Sequence, residues 1–311
     1  MAHLPAHVGF NFTKTLHHDI NASTDPTKRD LSQPSKVVLI TGAGRGIGRS
    51  IALRYADCGV ACIIICARTS SQLDEVEEAI KSINANVNVR KLALDVTDEN
   101  QVKLAFEEVK EEGRLDVLVN NAGVSAPWIP LIDSKVDEYW KTWEVHLKGT
   151  YLMLRAFVPL LIDTAKNEKT QANIVNLTSI GAHLTAFGAS AYQTSKFALL
   201  RLTEFICTEY ENEGINCVAI HPGGVLTEMS KNNKAIQASK LTTLRLLLLM
   251  LIAAVLVDTP DLCGGFIVWY TKSQRSWLNG RYLSANWDVD ELEARKDEIV
   301  NEGKLKMRMI V

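Results

Sequence analysis

Short apolar runs alternate with segments of helical period along the first two thirds of the chain, and this alternation limits the fold more than any other feature. The runs at 36–41, 60–66, 87–94, 115–119, 172–178 and 215–220 are rich in Val, Ile and Leu and read as strands buried on both faces. Between them, 46–57, 69–83, 98–112, 136–166 and 191–212 carry apolar residues at helical spacing. Strand following helix following strand predicts a doubly wound parallel sheet with helices on both faces, a three-layer α/β/α architecture. No repeat or low-complexity linker interrupts it, so a single domain is expected over 36–285, with an arm at 1–35 and a helical tail at 286–311. Past residue 225 the pattern predicts helix at 226–257 and 259–272, a last strand at 281–284 and a charged helix at 288–302.

The first run, Lys36-Val-Val-Leu-Ile40, leads directly into Thr41-Gly-Ala-Gly-Arg-Gly-Ile-Gly48 and then a helix. Gly42, Gly46 and Gly48 let the backbone turn tightly and approach a pyrophosphate, which sits at the N-terminus of the helix that opens with Ile47. A glycine-rich loop alone is weak evidence; the strand before it and the helix after it make a dinucleotide site the expected reading. The second strand ends Cys66-Ala67-Arg68, and the next acid is Asp74. An acid at that strand end would bind a ribose 2′-hydroxyl. Arg68 and Arg45 instead suit a 2′-phosphate, which favours NADP(H) over NAD(H). Asp95-Val96 at the third strand end can accept from the adenine amino group. Asn120-Asn121-Ala122-Gly123 at the fourth leaves room for the adenosine, and asparagine there can tie neighbouring strand ends together. Pro222, Gly223, Val225 and Thr227 shape a turn after the sixth strand, which is either a plain tight loop or a backing for the nicotinamide with Thr227 on its carboxamide or the phosphates.

The chemistry is expected at Ser179, delivered by the fifth strand, and at Tyr192 and Lys196, which lie four residues apart on one helix face. A phenol is a poor base at neutral pH; a nearby ammonium, and a cationic nicotinamide, favour its ionised form. A tuned Tyr192 can exchange a proton with an alcohol or carbonyl oxygen, while Ser179 bonds the same oxygen and orients the carbon.

Other features exclude alternatives. Of the 311 residues 47% are hydrophobic, enough for a large core, and the net charge of −2 offers no basic surplus for nucleic acid. The six cysteines form no C-x-x-C pair and read as reduced, mostly buried thiols of an intracellular protein. The first 35 residues lack a secretory or presequence pattern, so a cytoplasmic location is expected, and the sequons at Asn11, Asn21 and Asn176 carry no meaning. His3, His7, His17 and His18 fit no ligand spacing, so no metal is expected and the arm should pack on the main domain. Leu246–Val257 is a 12-residue apolar run, short of the roughly 20 needed to cross a bilayer; no transmembrane span is expected there.

Together TGAGRGIG at 41–48, Asp95, NNAG at 120–123, Ser179, YQTSK at 192–196 and PGGVLT at 222–227 resemble the short-chain dehydrogenase/reductase family from about Lys36 to Leu283. The resemblance implies a Rossmann-like seven-stranded sheet, a nicotinamide cofactor and a Ser-Tyr-Lys set in which Lys196 also holds the ribose. It further implies a substrate lid at 226–257, and a homodimer or homotetramer built on helices 147–165 and 191–212. The family's fourth catalytic residue, an asparagine that holds a proton-relay water, is replaced by His146 in VHLKG. His146 can still accept or donate a hydrogen bond; either the relay survives with altered pH dependence or through other waters, or His146 is a structural replacement. The long arm and the tail resemble a fungal branch with many members in secondary-metabolite pathways. This implies carbonyl–alcohol interconversion on a bulky apolar substrate such as a polyketide or terpenoid, with Trp128 and Trp143 as candidate pocket walls. A non-catalytic cofactor-binding protein, or an epimerase or dehydratase with no net redox, would carry the same fold.

Overall fold

The computed structural model describes residues 5–125, 127–226 and 256–309. Seven parallel strands, β1 (Val37–Thr41), β2 (Cys62–Ala67), β3 (Asn88–Ala93), β4 (Val117–Asn120), β5 (Ala172–Leu177), β6 (Ile215–His221) and β7 (Tyr282–Ser284), form one sheet in the order β3-β2-β1-β4-β5-β6-β7. The doubly wound α/β architecture expected from the alternation is therefore what the chain adopts. The central strands β1, β4, β5 and β6 are buried along their whole length, as a parallel sheet covered on both faces requires.

Helices α1 (Gly46–Asp57), α2 (Ser70–Ile83) and α7 (Pro260–Lys272) flank the sheet within one apolar cluster; α3 (Glu99–Lys110) and α5 (Gly149–Glu168) belong to the other. Their ends follow local chemistry. The Asp98 carboxylate accepts from the backbone N–H groups of Asn100 and Gln101 and starts α3. Thr259 caps α7 ahead of Pro260, which suits the first helical turn. The order of strands reverses between β1 and β4, so the carboxyl ends of those two strands border a cleft.

The expected helix at 136–166 is interrupted. α4 (Val136–Trp143) passes into a π-helical turn at Glu144–Lys148 before α5 begins. The widened turn places Val145 and His146 inside the protein, a distortion that periodicity does not reveal. The run Val136–Glu168 is, among the described residues, the one helical stretch long and apolar enough to cross a membrane, and most of its apolar window is buried in the protein. The charged helix expected at 288–302 is two short ones, α8 (Val289–Ala294) and α9 (Lys296–Asn301), separated by Arg295. The helix expected at 226–257 lies, apart from its ends, outside the described residues.

The arm lies against the carboxyl-terminal part of the chain. Trp287 is fully buried; its indole N–H donates to the carbonyls of Gly9 and Phe10, and Phe12 packs on its ring at 5.0 Å. Glu291 accepts from the Lys14 and Thr15 amides. The tail covers the edge strand, with Tyr282 N–H bonded to Leu305 O at 2.8 Å. All six cysteines are free and buried.

One sequon proves structural. Asn176 is completely buried in β5; its carbonyl accepts from Asn120 Nδ2 at 2.9 Å, and its amide donates to Thr203 Oγ1 at 3.0 Å. This ties β4, β5 and the following helix together as the asparagines at the strand ends suggested. Asn176→Ala strands the Asn120 amide, so chemical denaturation should show a loss of about 2–3 kcal/mol; a loss below about 0.5 kcal/mol would contradict the tie.

Candidate active site

The loop between β1 and α1 is built to let another backbone come close. Gly42 and Gly46 take φ values of +64° and +57°, left-handed conformations that glycine adopts without strain. A Cβ on Gly42 would stand 2.9 Å from Ala122 Cα, and one on Gly48 would overlap the Gly42 carbonyl oxygen. Asn121 secures the far wall: its side-chain amide donates to Thr41 O at 2.8 Å and Gly42 O at 3.1 Å. The Asn121 and Ala122 amides donate to the Thr41 hydroxyl. A cavity of about 270 Å³ opens here, and Gly42, Arg45, Gly46, Ile47, Gly48, Arg68, Asp95, Val96, Asn121, Ala122 and Gly123 all line it.

The sequence-based set missed several residues at this wall, Gln72 and Thr41 among them. Gln72, on α2, lines the cavity and lies against Gly44. Thr41 organises the β4 end. Glycine spacing could have exposed neither, because both act across strands. Arg68 is well exposed and stands 3.9 Å from the Asp95 carboxylate, a separation that contributes little. Asp95 also accepts from the Thr97 amide and hydroxyl. Burial works to raise the Asp95 pKa, but the Thr97 hydrogen bonds and the charges of Lys141 and Arg68 hold it below the usual value.

The residues expected to do chemistry converge at the carboxyl end of β5. Ser179 follows the strand, and its hydroxyl accepts from Gly181 N–H at 3.0 Å. Tyr192 and Lys196 lie in the first turns of α6 (Ser190–Tyr210). The Lys196 ammonium is buried and donates to Leu177 O at 2.8 Å, with Nζ 6.0 Å from the centre of the Tyr192 ring. Burial pushes the Lys196 pKa down to about 7. The Tyr192 phenol goes up: burial raises it, and the neighbouring Ser179 hydroxyl pulls the other way without reversing the direction. In this arrangement burial outweighs the Ser179 hydrogen bond, and the phenol holds its proton at neutral pH.

His146 is engaged at both ring nitrogens. Val124 N–H donates to Nε2 at 3.1 Å, which leaves the proton on Nδ1 to bond Ser195 Oγ at 2.9 Å. Ser195 in turn donates to Tyr192 O at 2.8 Å. The imidazole stacks edge-on against the Tyr192 ring at 5.6 Å. Burial, then the Lys196 charge, hold His146 well below its usual pKa, so it is neutral. It links the NNAG strand end to α6.

Pro222, Gly223 and Val225 follow β6. Gly223 has φ of +93°, and Val225 pairs with Asp258; Thr227 lies outside the described residues. Trp143 packs on Trp140 at 5.9 Å, and neither Trp143 nor Trp128 lines the cavity by the glycine loop. A larger cavity of about 1220 Å³ lies between the 182–188 loop, the arm and the tail, but Ser179, Tyr192 and Lys196 do not line it. Among the described residues no group of His, Cys, Asp or Glu is placed to hold a metal.

Comparison with known proteins agrees with this geometry. The family model for short chain dehydrogenase matches residues 36–238. The curated short chain dehydrogenase mpl6 of Monascus purpureus is 45% identical over 99% of both chains. Among solved structures, NAD+-bound xylitol dehydrogenase superposes with a TM-score of 0.70 at 25% identity, covering 80% of this chain and 96% of the other. A Beutenbergia cavernae protein assigned as an NAD(P)-dependent gluconate 5-dehydrogenase, with NADP bound, gives 0.70 at 25% identity, covering 83% and 97%. The chain belongs to the short-chain dehydrogenase family, and the Monascus relative is fungal, as the arm and tail implied. The family binds a nicotinamide cofactor, and the glycine cradle that a single Cβ would fill fits the close approach of such a molecule.

The Lys196 environment fixes a pH dependence. Its pKa is about 7 folded against an ordinary 10.5, so between these values the unfolded chain binds more protons than the folded one. Stability from this group therefore rises as pH increases from about 7 toward 10.5, and is lost as pH falls. Denaturation at pH 7 and pH 9 should show a smaller gain on raising the pH for Lys196→Met than for the parent chain. Equal gains would contradict the burial.

Proposed function

We propose that the protein is an NADP(H)-dependent oxidoreductase that interconverts a carbonyl and a secondary alcohol on a bulky apolar substrate. The observation that carries this reading is the convergence of Ser179, Tyr192 and Lys196 at the carboxyl end of β5, joined to the glycine-lined cavity through His146, which rests on the Tyr192 ring and accepts from Val124 of the lining. When bound, the nicotinamide supplies or takes the hydride. The protein's part is to hold the oxygen and move the proton.

The Tyr192 hydroxyl, kept protonated by burial, is suited to donate its proton to a carbonyl oxygen as that oxygen gains charge. Ser179 donates a second hydrogen bond to the same oxygen and fixes its position. Lys196, when protonated, stabilises the phenolate left behind and holds the ribose hydroxyls. The same groups run in reverse for alcohol oxidation. His146 acts as a positioning residue: with both nitrogens bonded to Val124 and Ser195, it holds the β4 end and the Tyr192 helix in register and is not free to shuttle protons. An apolar substrate of the secondary-metabolite kind is supported by the fungal relative and by the apolar run at 246–257. Exposed Tyr151 on α5 and Phe197 and Phe205 on α6 support assembly into a homodimer or homotetramer through those helices.

The cofactor preference rests on charge. Arg68 and Arg45 are both exposed at the cavity, the end of β2 carries no acid, and the long Arg68–Asp95 pair leaves the guanidinium open to a 2′-phosphate. Reversing one charge should weaken NADPH far more than NADH: Arg68→Asp is expected to raise the NADPH Kd at least about tenfold with little change for NADH, measured by fluorescence titration. Equal effects on both would remove the 2′-phosphate assignment.

Turnover tests the reaction itself. Purified protein mixed with NADPH and a panel of aromatic ketones, cyclic ketones and quinones should consume the reduced cofactor with at least one class. Tyr192→Phe should lower the rate by at least about a hundredfold while binding NADPH as before. Activity that survives in Tyr192→Phe would refute the proton role, and no cofactor consumption with any class would refute the reading.

A further inference from the structure

The turn after β6 leaves no room for a side chain at Gly223. Gly223 stands at φ of +93°, where other residues are strained, and a Cβ there would lie 2.7 Å from the carboxylate of Asp258. The turn instead closes directly on that side chain. Asp258 Oδ2 accepts from Gly224 N–H at 2.5 Å and from Asn286 Nδ2 at 2.9 Å, and Asp258 N–H donates to Gly224 O at 3.0 Å. The carboxylate is almost fully buried, and its other oxygen meets His18 Nδ1 at 2.5 Å.

His18 belongs to the arm, 240 residues away in sequence. Its backbone carbonyl accepts from Thr259 N–H at 2.9 Å, and Asn286, which shares the Asp258 carboxylate, also donates to His17 O at 2.9 Å. A buried carboxylate needs a full set of donors to stay where it is, and here one donor is supplied by the arm.

We propose that His18 and Asp258 form a positioning pair that sets the Pro222–Val225 turn for dinucleotide binding, so that the arm completes the cofactor site without touching the cofactor. The proposal rests on the reading of that turn as the wall behind the nicotinamide. Removing the His18 donor leaves one carboxylate oxygen buried and unpaired, and the turn that bonds the other oxygen loosens with it. A purely structural buttress would alter stability but leave affinity unchanged.

Fluorescence titration with NADPH separates these. His18→Ala is expected to weaken NADPH binding about tenfold and to raise the cofactor KM by more than it lowers kcat. His18→Asn places an amide donor near the position of Nδ1 and should recover most of the affinity. Asp258→Asn should also weaken binding, and combining it with His18→Ala should cost less than the two separate losses together, since both break the same contact. NADPH affinity within twofold of the parent in His18→Ala, or strictly additive losses in the double variant, would overturn the pair. If His18→Ala does not fold, Asp258→Asn decides the matter through the same titration: a loss of about tenfold upholds the pair, and affinity within twofold of the parent overturns it. A parent chain that binds neither NADPH nor NADH would instead refute the function proposed above, an outcome distinct from failure of the pair.

Discussion

Everything at the cofactor end depends on how closely two stretches of backbone approach where the strand order reverses. The β1–α1 loop and the end of β4 meet with only the Asn121 amide between them: Gly42 lies on Ala122, Gly48 faces the Gly42 carbonyl, and the Asn121 side chain bonds both Thr41 and Gly42. A parallel sheet supplies this closeness only at a switch point, where neighbouring strands send their crossovers to opposite faces. The α1 N-terminus, the exposed arginines and the NNAG corner can share one cavity because Gly42 and Gly48 carry no Cβ where the loop meets the end of β4.

At the chemical end the controlling constraint is desolvation. Lys196, His146 and the Tyr192 phenol lie within one buried region, and burial disfavours the charged form of each. The result is a lysine near pKa 7, a neutral imidazole and a protonated phenol. Such a site starts from a low charge, so any positive charge brought beside it bears on the Tyr192 proton with little screening. The hydrogen bonds that remain have fixed donors and acceptors: Val124 to His146, His146 to Ser195, and Ser195 to the Tyr192 carbonyl. That chain fixes the backbone of the tyrosine; its hydroxyl lies at the far end of the side chain.

The features legible in the sequence are those written over short spans. Seven strands, the glycine loop, Ser179 and the Tyr192–Lys196 spacing each follow from a period or a local motif, and the structure gathers eleven of the expected cofactor residues around one cavity. The π-turn at Glu144–Lys148 was invisible because a single extra residue per turn leaves the apolar pattern of a long helix almost unchanged. The state of His146 was equally hidden. Its two partners, Val124 and Ser195, lie 22 and 49 residues away, and only their simultaneous arrival determines which nitrogen carries the proton. Thr41 and Gln72 escaped for the same reason, since each acts on a neighbouring segment and not on its own.

The two halves of the site are consequently stabilised in different ways. The cofactor cradle is assembled from segments that enter it directly from adjacent strands, so its geometry is inherited from the sheet. The turn after β6 leaves the sheet and is held by side chains from the arm, the α7 start and the segment after β7, which converge on the Asp258 carboxylate. A buried carboxylate tolerates no missing donor, so the arm is bound to the turn as firmly as the turn is to it. The packing of Phe12 on Trp287 and of the Arg295 guanidinium over Phe12 at 3.8 Å then serves a purpose beyond covering apolar surface: it holds the segment that delivers His18. An arm that would otherwise remain mobile thereby becomes part of the frame on which the turn after β6 rests.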